Sequence, residues 1–369
     1  MTPRKSQDGI QKSAPVTLKI VAKSVGLTAG TVSAVLNDSP AARSVPEHTK
    51  NRILEAAREL NYKPNYLARA LRVKRTYTIG VIASEIGDPY GSTVISGIED
   101  YLRRHNYFFL IVVHRHERRI FESHSQLLLE RGVEGFITID MSIPQPLPLP
   151  AVAVAGHQPL EGVTNINLDH RTAALLALQH LMELGHRDIA FMKGPAASSD
   201  AEDRWKSIVD VAGELGLAIQ PELTVQLDDP TGLAARAPEY SYPFAKELLR
   251  RNRRFTALFA YNDNSAIAAM RVIQDAGLRI PEEVSVVGFD DIQAAAYTSP
   301  TLTTVRQPLA KMGEIAARTL LERIEERGEY VPEIAIEPEL VRRESTAPVR
   351  AEIPRRSHEG RGLTSLSVD

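Results

Sequence analysis

From Thr78 to Gly288 the chain alternates short apolar runs with amphipathic stretches, and this alternation restricts the fold more than any other feature. The runs are Thr78–Ala83, Phe108–Val113, Gly135–Ile139, Ala151–Ala155, Asp188–Met192, Thr256–Ala260 and Val284–Gly288. Each is too short for a globular helix and rich in apolar residues, so each reads as a strand. Between most of them lie stretches with apolar residues at helical spacing: Ser96–His105, Glu122–Arg131, Thr172–Leu184, Tyr242–Arg250 and Asn264–Ala276. Apolar strands joined by helices argue for parallel sheets covered on both faces. The 270 residues of 77–346 suit two such sheets rather than one.

Ahead of this region, residues 16–63 read as all-α. Thr17 is placed to cap a first helix with Leu18, Val21, Ala22 and Val25 on one face, and Gly26 ends it. Thr28 caps a second, through Val32, Val35 and Leu36 to the stop at residues 37–40. The third, Pro46 to Leu60, carries Ile53, Leu54, Ala57 and Leu60 as its stripe. Two short helices joined by a tight glycine turn, with a third packed behind, is helix-turn-helix geometry. Residues 1–15 read as a disordered arm and 347–369 as a disordered tail. Residues 64–76 read as a linker in which Pro64 opens a short helix, Asn65–Leu71, followed by the basic run Arg72, Lys74 and Arg75.

The formal net charge of −2 hides a polarity: residues 1–76 hold 14 Lys/Arg against 5 Asp/Glu, and the remainder holds 30 against 41. A basic head on an acidic body is the footprint of a nucleic-acid-binding module joined to something else. There is no cysteine, which excludes disulfides, thiolate metal sites and a cysteine nucleophile, and fits a reducing compartment. The N-terminus lacks a signal-type apolar stretch, and no window approaches the ~18 apolar residues of a membrane span, so a cytoplasmic protein without membrane contact is expected. His114, His116 and His124 lack an acidic cluster to complete a metal site and read as a solvated strand-end loop. No cofactor is expected. A phosphate-cradling GxxxxGK, a GxSxG elbow and a paired acid–base constellation are all missing from the sequence. Two rivals remain: a transport-type solute-binding protein, disfavoured by the basic head, and an α/β enzyme acting on a sugar.

Four blocks give the chain a further likeness. They are VTLKIVAKSVGLTAGTVSAVLN at 16–37, LNYKPNYLARALRVKRTYTIGVI at 60–82, HLMELGHRDIAFMKGP at 180–195, and TALFAYNDNSAIAAMRVIQDAGLRIPEEVSVVGFDD at 256–291 with TLTTVRQP at 301–308. In this order they resemble the LacI/GalR-type bacterial transcription regulators. The resemblance implies a helix-turn-helix domain followed by an effector domain like the periplasmic sugar-binding proteins, with two parallel-sheet subdomains. It implies a repressor, a homodimer or dimer of dimers, binding a palindromic double-stranded operator under the control of a small-molecule effector, a sugar or sugar derivative.

Matched to that family, Ala29, Gly30 and Ala34 stand where bases are read. Many members carry an Arg at the third position, which can grip guanine; Ala touches only a thymine methyl. Thr17, Thr28, Thr31, Ser33 and Asn37 are placed to hydrogen-bond phosphates, which position but do not specify. Tyr62, Asn65, Ala68, Arg69 and Arg72 accompany Leu71, which matches the leucine that wedges into the minor groove and kinks the duplex. Asn65–Leu71 is too short to be stable alone, so it is expected to order in the dimer on DNA, over a site with a flexible central step such as CG. Effector contacts are expected outside the carboxyl ends of the strands: Tyr90, Arg204, Asn262 and Asp290. Asp263 and Asp291 are expected to cap the helices that follow them. The chain departs from the family pattern at Ala155-Gly156-His157 and at Gly91, which implies a wider pocket or a different ligand. Arg204 with Asp290 does not by itself separate a neutral sugar from a sugar acid or phosphate.

Overall fold

The structure, a computed structural model, describes residues 16–63, 70, 74–196, 198–227, 238–251 and 254–349. The expected arm, the linker positions Asn65, Ala68, Arg69, Leu71 and Arg72, and the tail from residue 350 lie outside the described residues. The chain divides between Thr76 and Tyr77 into two compact units.

The first unit holds helices α1 (Leu18–Ser24), α2 (Ala29–Leu36) and α3 (Glu47–Glu59). Gly26 takes φ +65 between α1 and α2, a conformation that glycine adopts without a Cβ clash. The Thr28 hydroxyl caps α2 by accepting the Thr31 N–H at 3.2 Å. Thr17 precedes α1 in extended conformation, but its side chain makes no cap bond. Val21, Val32 and Ile53, one from each helix, are fully buried. Arg52 ties α3 to the end of α1 by donating to the Val25 carbonyl at 3.0 Å. The expected loop after Leu36 contains a turn of 3-10 helix, Pro40–Ser44, whose Ala42 joins the core.

In the second unit the strands are β1 (Thr78–Ala83), β2 (Phe108–Val113), β3 (Phe136–Ile139), β4 (Ala151–Val154), β5 (Val163–Leu168), β6 (Ile189–Lys193), β7 (Thr224–Gln226), β8 (Ala257–Phe259), β9 (Ser285–Asp290), β10 (Thr303–Arg306), β11 (Glu333–Ile336) and β12 (Glu339–Val341). The helices are α4 (Pro89–Arg104), α5 (Arg118–Glu130), α6 (His170–Glu183), α7 (Ser199–Glu214), α8 (Pro238–Arg250), α9 (Asp263–Asp275) and α10 (Leu309–Ile324). Among the described residues the strands form two six-stranded sheets, ordered β11-β5-β4-β3-β1-β2 and β12-β10-β9-β8-β6-β7. Every pairing is parallel except β10 with β12. The described chain passes between the sheets after β5, after β10 and after β11. Two of these crossings are pinned together where the Asp169 N–H donates to the Ile336 carbonyl at 2.8 Å.

All seven predicted strands form. The expectation omitted β5, β7, β10, β11 and β12, helices α7 and α10, and the first turns of α4. Helices α4 and α10 pack so closely that a methyl group on Gly97 would overlap the Ala310 carbonyl, and one on Gly313 would overlap the Val94 carbonyl. The expected tail begins too early: Ala347 N–H donates to Ser285 Oγ at 3.0 Å, and Val349 N–H donates to the Leu184 carbonyl at 2.9 Å. No single helix among the described residues is long and apolar enough to cross a membrane.

Candidate nucleic-acid interface and effector pocket

Helix α2 carries most of the described residues expected to face DNA. Thr17, Thr28 and Gly30 are exposed; Ala29, Thr31, Ala34, Asn37 and Tyr62 are half-buried. The Thr28 and Thr31 hydroxyls lie 3.0 Å apart and retain hydrogen-bonding capacity for a phosphate. Ala29, Ala34 and Tyr62 pack against the rim of the small core. Ser33 corrects the sequence reading. It is 4% exposed and its Oγ accepts from Asn37 Nδ2 at 3.3 Å, so it faces the interior rather than a phosphate. Asn37 closes the last turn of α2 by donating to the Ser33 carbonyl at 2.7 Å. Lys19, Lys23, Arg43, Arg58 and Lys63 are exposed around these helices.

In the second unit the carboxyl ends of five strands converge, with Asp200 and Arg204 of α7, on one cavity. The four predicted effector residues, Tyr90, Arg204, Asn262 and Asp290, all line it. Tyr90 enters at the start of α4, where Asp88 caps the helix by accepting the Gly91 N–H at 3.0 Å. Burial pushes the Asp88 carboxyl up to about 6, with Asp140 and Glu85 adding like charge and the Gly91 hydrogen bond opposing. The Tyr90 hydroxyl is buried without a hydrogen-bond partner. Asn262 caps α9: its side chain accepts the Ser265 N–H at 2.9 Å while Ser265 Oγ accepts the Asn262 N–H at 3.0 Å. Asp290 sits at φ +106, where non-glycine residues are rare and strain of about 1–3 kcal/mol is stored. Its Oδ1 accepts from Gln307 Nε2 at 2.6 Å. Burial holds its carboxyl well above the usual range; Arg204 opposes, and Asp263 and Asp88 reinforce.

Arg204 is the most constrained of the four. One terminal nitrogen donates to Asp200 Oδ2 at 2.5 Å and the other to the Tyr261 carbonyl at 2.5 Å. The guanidinium lies 3.7 Å from the Phe289 ring centroid and 4.7 Å from that of Tyr261. Asp200 in turn accepts on Oδ1 from His157 Nε2 and His170 Nε2, each at 3.0 Å. Burial alone would raise the Asp200 carboxyl, but Arg204, His170 and these hydrogen bonds hold it well below the usual range. His157 also faces Asp203 at 3.3 Å. Burial opposes its charging, but Asp200 and Asp203 outweigh burial and raise its pKa. His170 is deeper, and burial prevails, lowering its pKa.

His157, His170 and Asp200 are also the described group whose metal-ligand-type atoms lie within 4.8 Å of one another. The Arg204 guanidinium already sits on the same carboxylate, where it would repel a cation. The set is explained as a hydrogen-bonded ion-pair network. The histidines singled out in the sequence separate. His114 is fully buried: its Nδ1 accepts the His116 N–H at 2.9 Å, so Nε2 carries the proton and donates to the Ile139 carbonyl at 3.0 Å. His116 lines the cavity, 3.3 Å from Asp140. His124 bonds the Val113 carbonyl at 2.8 Å. The solvated-loop reading therefore fails for His114.

The two expected helix caps are also corrected. Asp263 is fully buried; its Oδ1 accepts from Thr304 Oγ1 at 2.6 Å and its Oδ2 from the Ile292 N–H at 2.8 Å. The cap of α9 is Asn262 instead. Asp291 pairs with Arg306 at 2.7 Å and Arg343 at 2.6 Å. The sequence reading missed Asp200 and His170, and named His157 only within the departure at residues 155–157, with no partner for it. The available signal was the i, i+4 spacing of Asp200 and Arg204 on one helix.

The pattern of bacterial regulatory proteins of the lacI family matches residues 17–65, and that of the periplasmic binding protein-like domain matches residues 178–346. The chain is 32% identical over 338 residues to the HTH-type transcriptional repressor PurR of Pasteurella multocida (strain Pm70), covering 89% of this chain and 98% of that one. It is 30% identical over 337 residues to the ribose operon repressor of Haemophilus influenzae (strain ATCC 51907 / DSM 11121 / KW20 / Rd), with 89% and 98% covered. Among solved structures, the Lac repressor dimer bound to operator and the anti-inducer ONPF aligns with a TM-score of 0.79 at 26% identity, covering 90% of this chain and 100% of that one. The complex of the transcriptional regulator CelR with cellobiose gives 0.66 at 28%, covering 89% and 99%. The chain belongs to the LacI family of bacterial regulatory proteins and is a DNA-binding transcription repressor modulated by a small-molecule effector.

Proposed function

We propose that this repressor acts as a homodimer on a palindromic operator, and that its effector is a small polyhydroxylated molecule held by Tyr90, Arg204, Asn262 and Asp290. The observation that carries the reading is the convergence of these four residues, from four separate parts of the chain, on one cavity. Asp accepts, Arg donates and Asn does both, the chemistry of hydroxyl recognition. The ribose operon repressor and the CelR–cellobiose complex support a sugar or sugar derivative by name. Thr17, Thr28 and Thr31, with Tyr62, contact the phosphate backbone, Ala29, Gly30 and Ala34 touch bases, and Asn65, Ala68, Arg69, Leu71 and Arg72 enter or flank the minor groove. The domains follow as 16–63 for DNA binding, 64–76 as hinge, and 77 to 349 for effector and dimer contacts.

The dimer has a specific support. Strand β2 lies at a sheet edge, and none of its six apolar residues is buried, with Phe108 66% exposed. An apolar edge of this kind needs cover.

Asp290 links the pocket to a crossing between the two sheets, because its partner Gln307 lies between β10 and α10. An effector that binds one arrangement of the two sheets better than the other shifts the population, and with it operator affinity. The chain acts by binding rather than turnover. Genomic footprinting of the full-length protein tests the reading: it should return salt-sensitive palindromic sites, protected less, or more, once effector is added. Protection without two-fold symmetry, or turnover of a sugar, would overturn it.

A further inference from the structure

The cavity is strongly unbalanced in charge. Glu85, Asp88, Asp140, Asp200 and Asp290 line it, against Arg204 and His116. The Arg204 charge is offset by Asp200, while its buried Nε–H has no partner and stays open to a ligand hydroxyl. Its two terminal nitrogens are taken by Asp200 and the Tyr261 carbonyl, and its plane lies against the rings of Phe289 and Tyr261. An anionic ligand drawing on the guanidinium would compete with Asp200 for its charge and would meet the other carboxylates of the lining.

With Arg204 and Asp200 neutralising each other, acidic groups dominate what the ligand meets. Asp88, Asp140 and Asp290 come from the ends of β1, β3 and β9. They sense one another: Asp140 raises Asp88, and Asp88 raises Asp290. Their hydrogen-bonding companions are neutral or weakly basic. Asp88 holds the Gly91 N–H, Asp290 holds Gln307, and Asp140 lies 3.3 Å from both Ser198 Oγ and His116 Nε2. A buried like-charge cluster is relieved by an incoming positive charge, and a buried ammonium is in turn satisfied only by such acceptors. The buried Tyr90 hydroxyl beside them has no partner and is available to a ligand hydroxyl.

Resting on the effector reading above, we propose that the effector carries a protonated amine together with hydroxyls, in the manner of an amino sugar. Its ammonium is held by Asp88, Asp140 and Asp290. The pocket thus selects against sugar acids and sugar phosphates, and against the neutral parent sugar by loss of the ion pairs.

Calorimetric titration of the full-length protein at pH 7 tests this with matched sets: glucosamine, galactosamine and mannosamine, their neutral parent hexoses, their N-acetyl forms and the hexose 6-phosphates. At least one amine should bind, its parent and N-acetyl form at least tenfold more weakly, and the phosphates not at all. Asp88→Asn keeps a good helix cap while removing the charge. It should weaken the amine at least tenfold and change the parent hexose little, with an unaltered melting curve confirming the fold; Asp140→Asn is the second variant. Equal or tighter binding of a neutral or phosphorylated member, or no binding by any amine, overturns the proposal. If such a member binds and Asp290→Ala abolishes that binding, the effector pocket stands and only its charge selectivity falls.

Discussion

The two units handle charge in opposite ways. Around α1 to α3 the basic side chains Lys19, Lys23, Arg43, Arg58 and Lys63 are exposed, and α2 presents small, weakly specifying side chains. In the pocket, Asp200, Arg204 and Asp290 are each at most 6% exposed and fixed by named partners. Exposed cations on long side chains act on phosphates additively and are screened by salt. Buried groups act as one network in which removing a member strands the rest. DNA affinity should therefore erode gradually under substitution, whereas effector response should fail abruptly.

The largest break in that contrast is Asp200→Ala. It leaves the Arg204 guanidinium and the two imidazoles without their shared acceptor, and should cost about 3–5 kcal/mol of stability. Thermal or urea unfolding measures this; a loss under about 1 kcal/mol would mean that the network is not coupled in the way its geometry implies.

The next effect is one of pH. Burial lowers the His114 pKa from 6.5 to about 4. The native chain then binds fewer protons than the unfolded chain between these values, so stability is full above pH 6.5 and falls as pH drops toward 4. The full contribution is about 3 kcal/mol. Unfolding curves across this window should be flatter for His114→Gln than for the parent chain, and identical slopes would remove His114 as a source.

In the first unit, Thr28→Ala removes the cap of α2 and should cost about 1 kcal/mol, with operator affinity reduced in proportion. A stability equal to the parent would show the cap to be redundant. The smallest effect sharpens the additive side: Lys23→Ala should lower the slope of log affinity against log salt by about 1, uniformly across operator sequences. A sequence-dependent loss would instead make Lys23 a base reader.

Much of the architecture was legible because it rests on local patterns. Ala151–Val154 is a continuous apolar run, buried along its whole length as a covered strand requires. Strand β5 was illegible for the opposite reason. Its Thr164, Asn165 and Asn167 look like loop residues, yet all three are buried. Their side chains bond to the Val331 carbonyl at 2.6 Å, the Gln158 carbonyl at 3.3 Å and Glu333 at 3.3 Å. Two of those partners are more than 160 residues away, and burial of a polar side chain depends on such partners. The pocket divides likewise. Tyr90, Arg204, Asn262 and Asp290 were expected where ligands of open α/β sheets bind, while His170 follows β5, a strand the sequence did not reveal.

The alternation that begins at Thr78 determined by itself that the chain builds parallel sheets, because a strand or helix period is written in consecutive residues. The basic head likewise identified a nucleic-acid module, because charge composition needs no coordinates. Only the tertiary structure decided which ionisable groups are buried, and that His157 and His170 share the Asp200 carboxylate across the fold. Those are properties of distance and dielectric between residues that the sequence places far apart, and they determine what kind of ligand the pocket accepts.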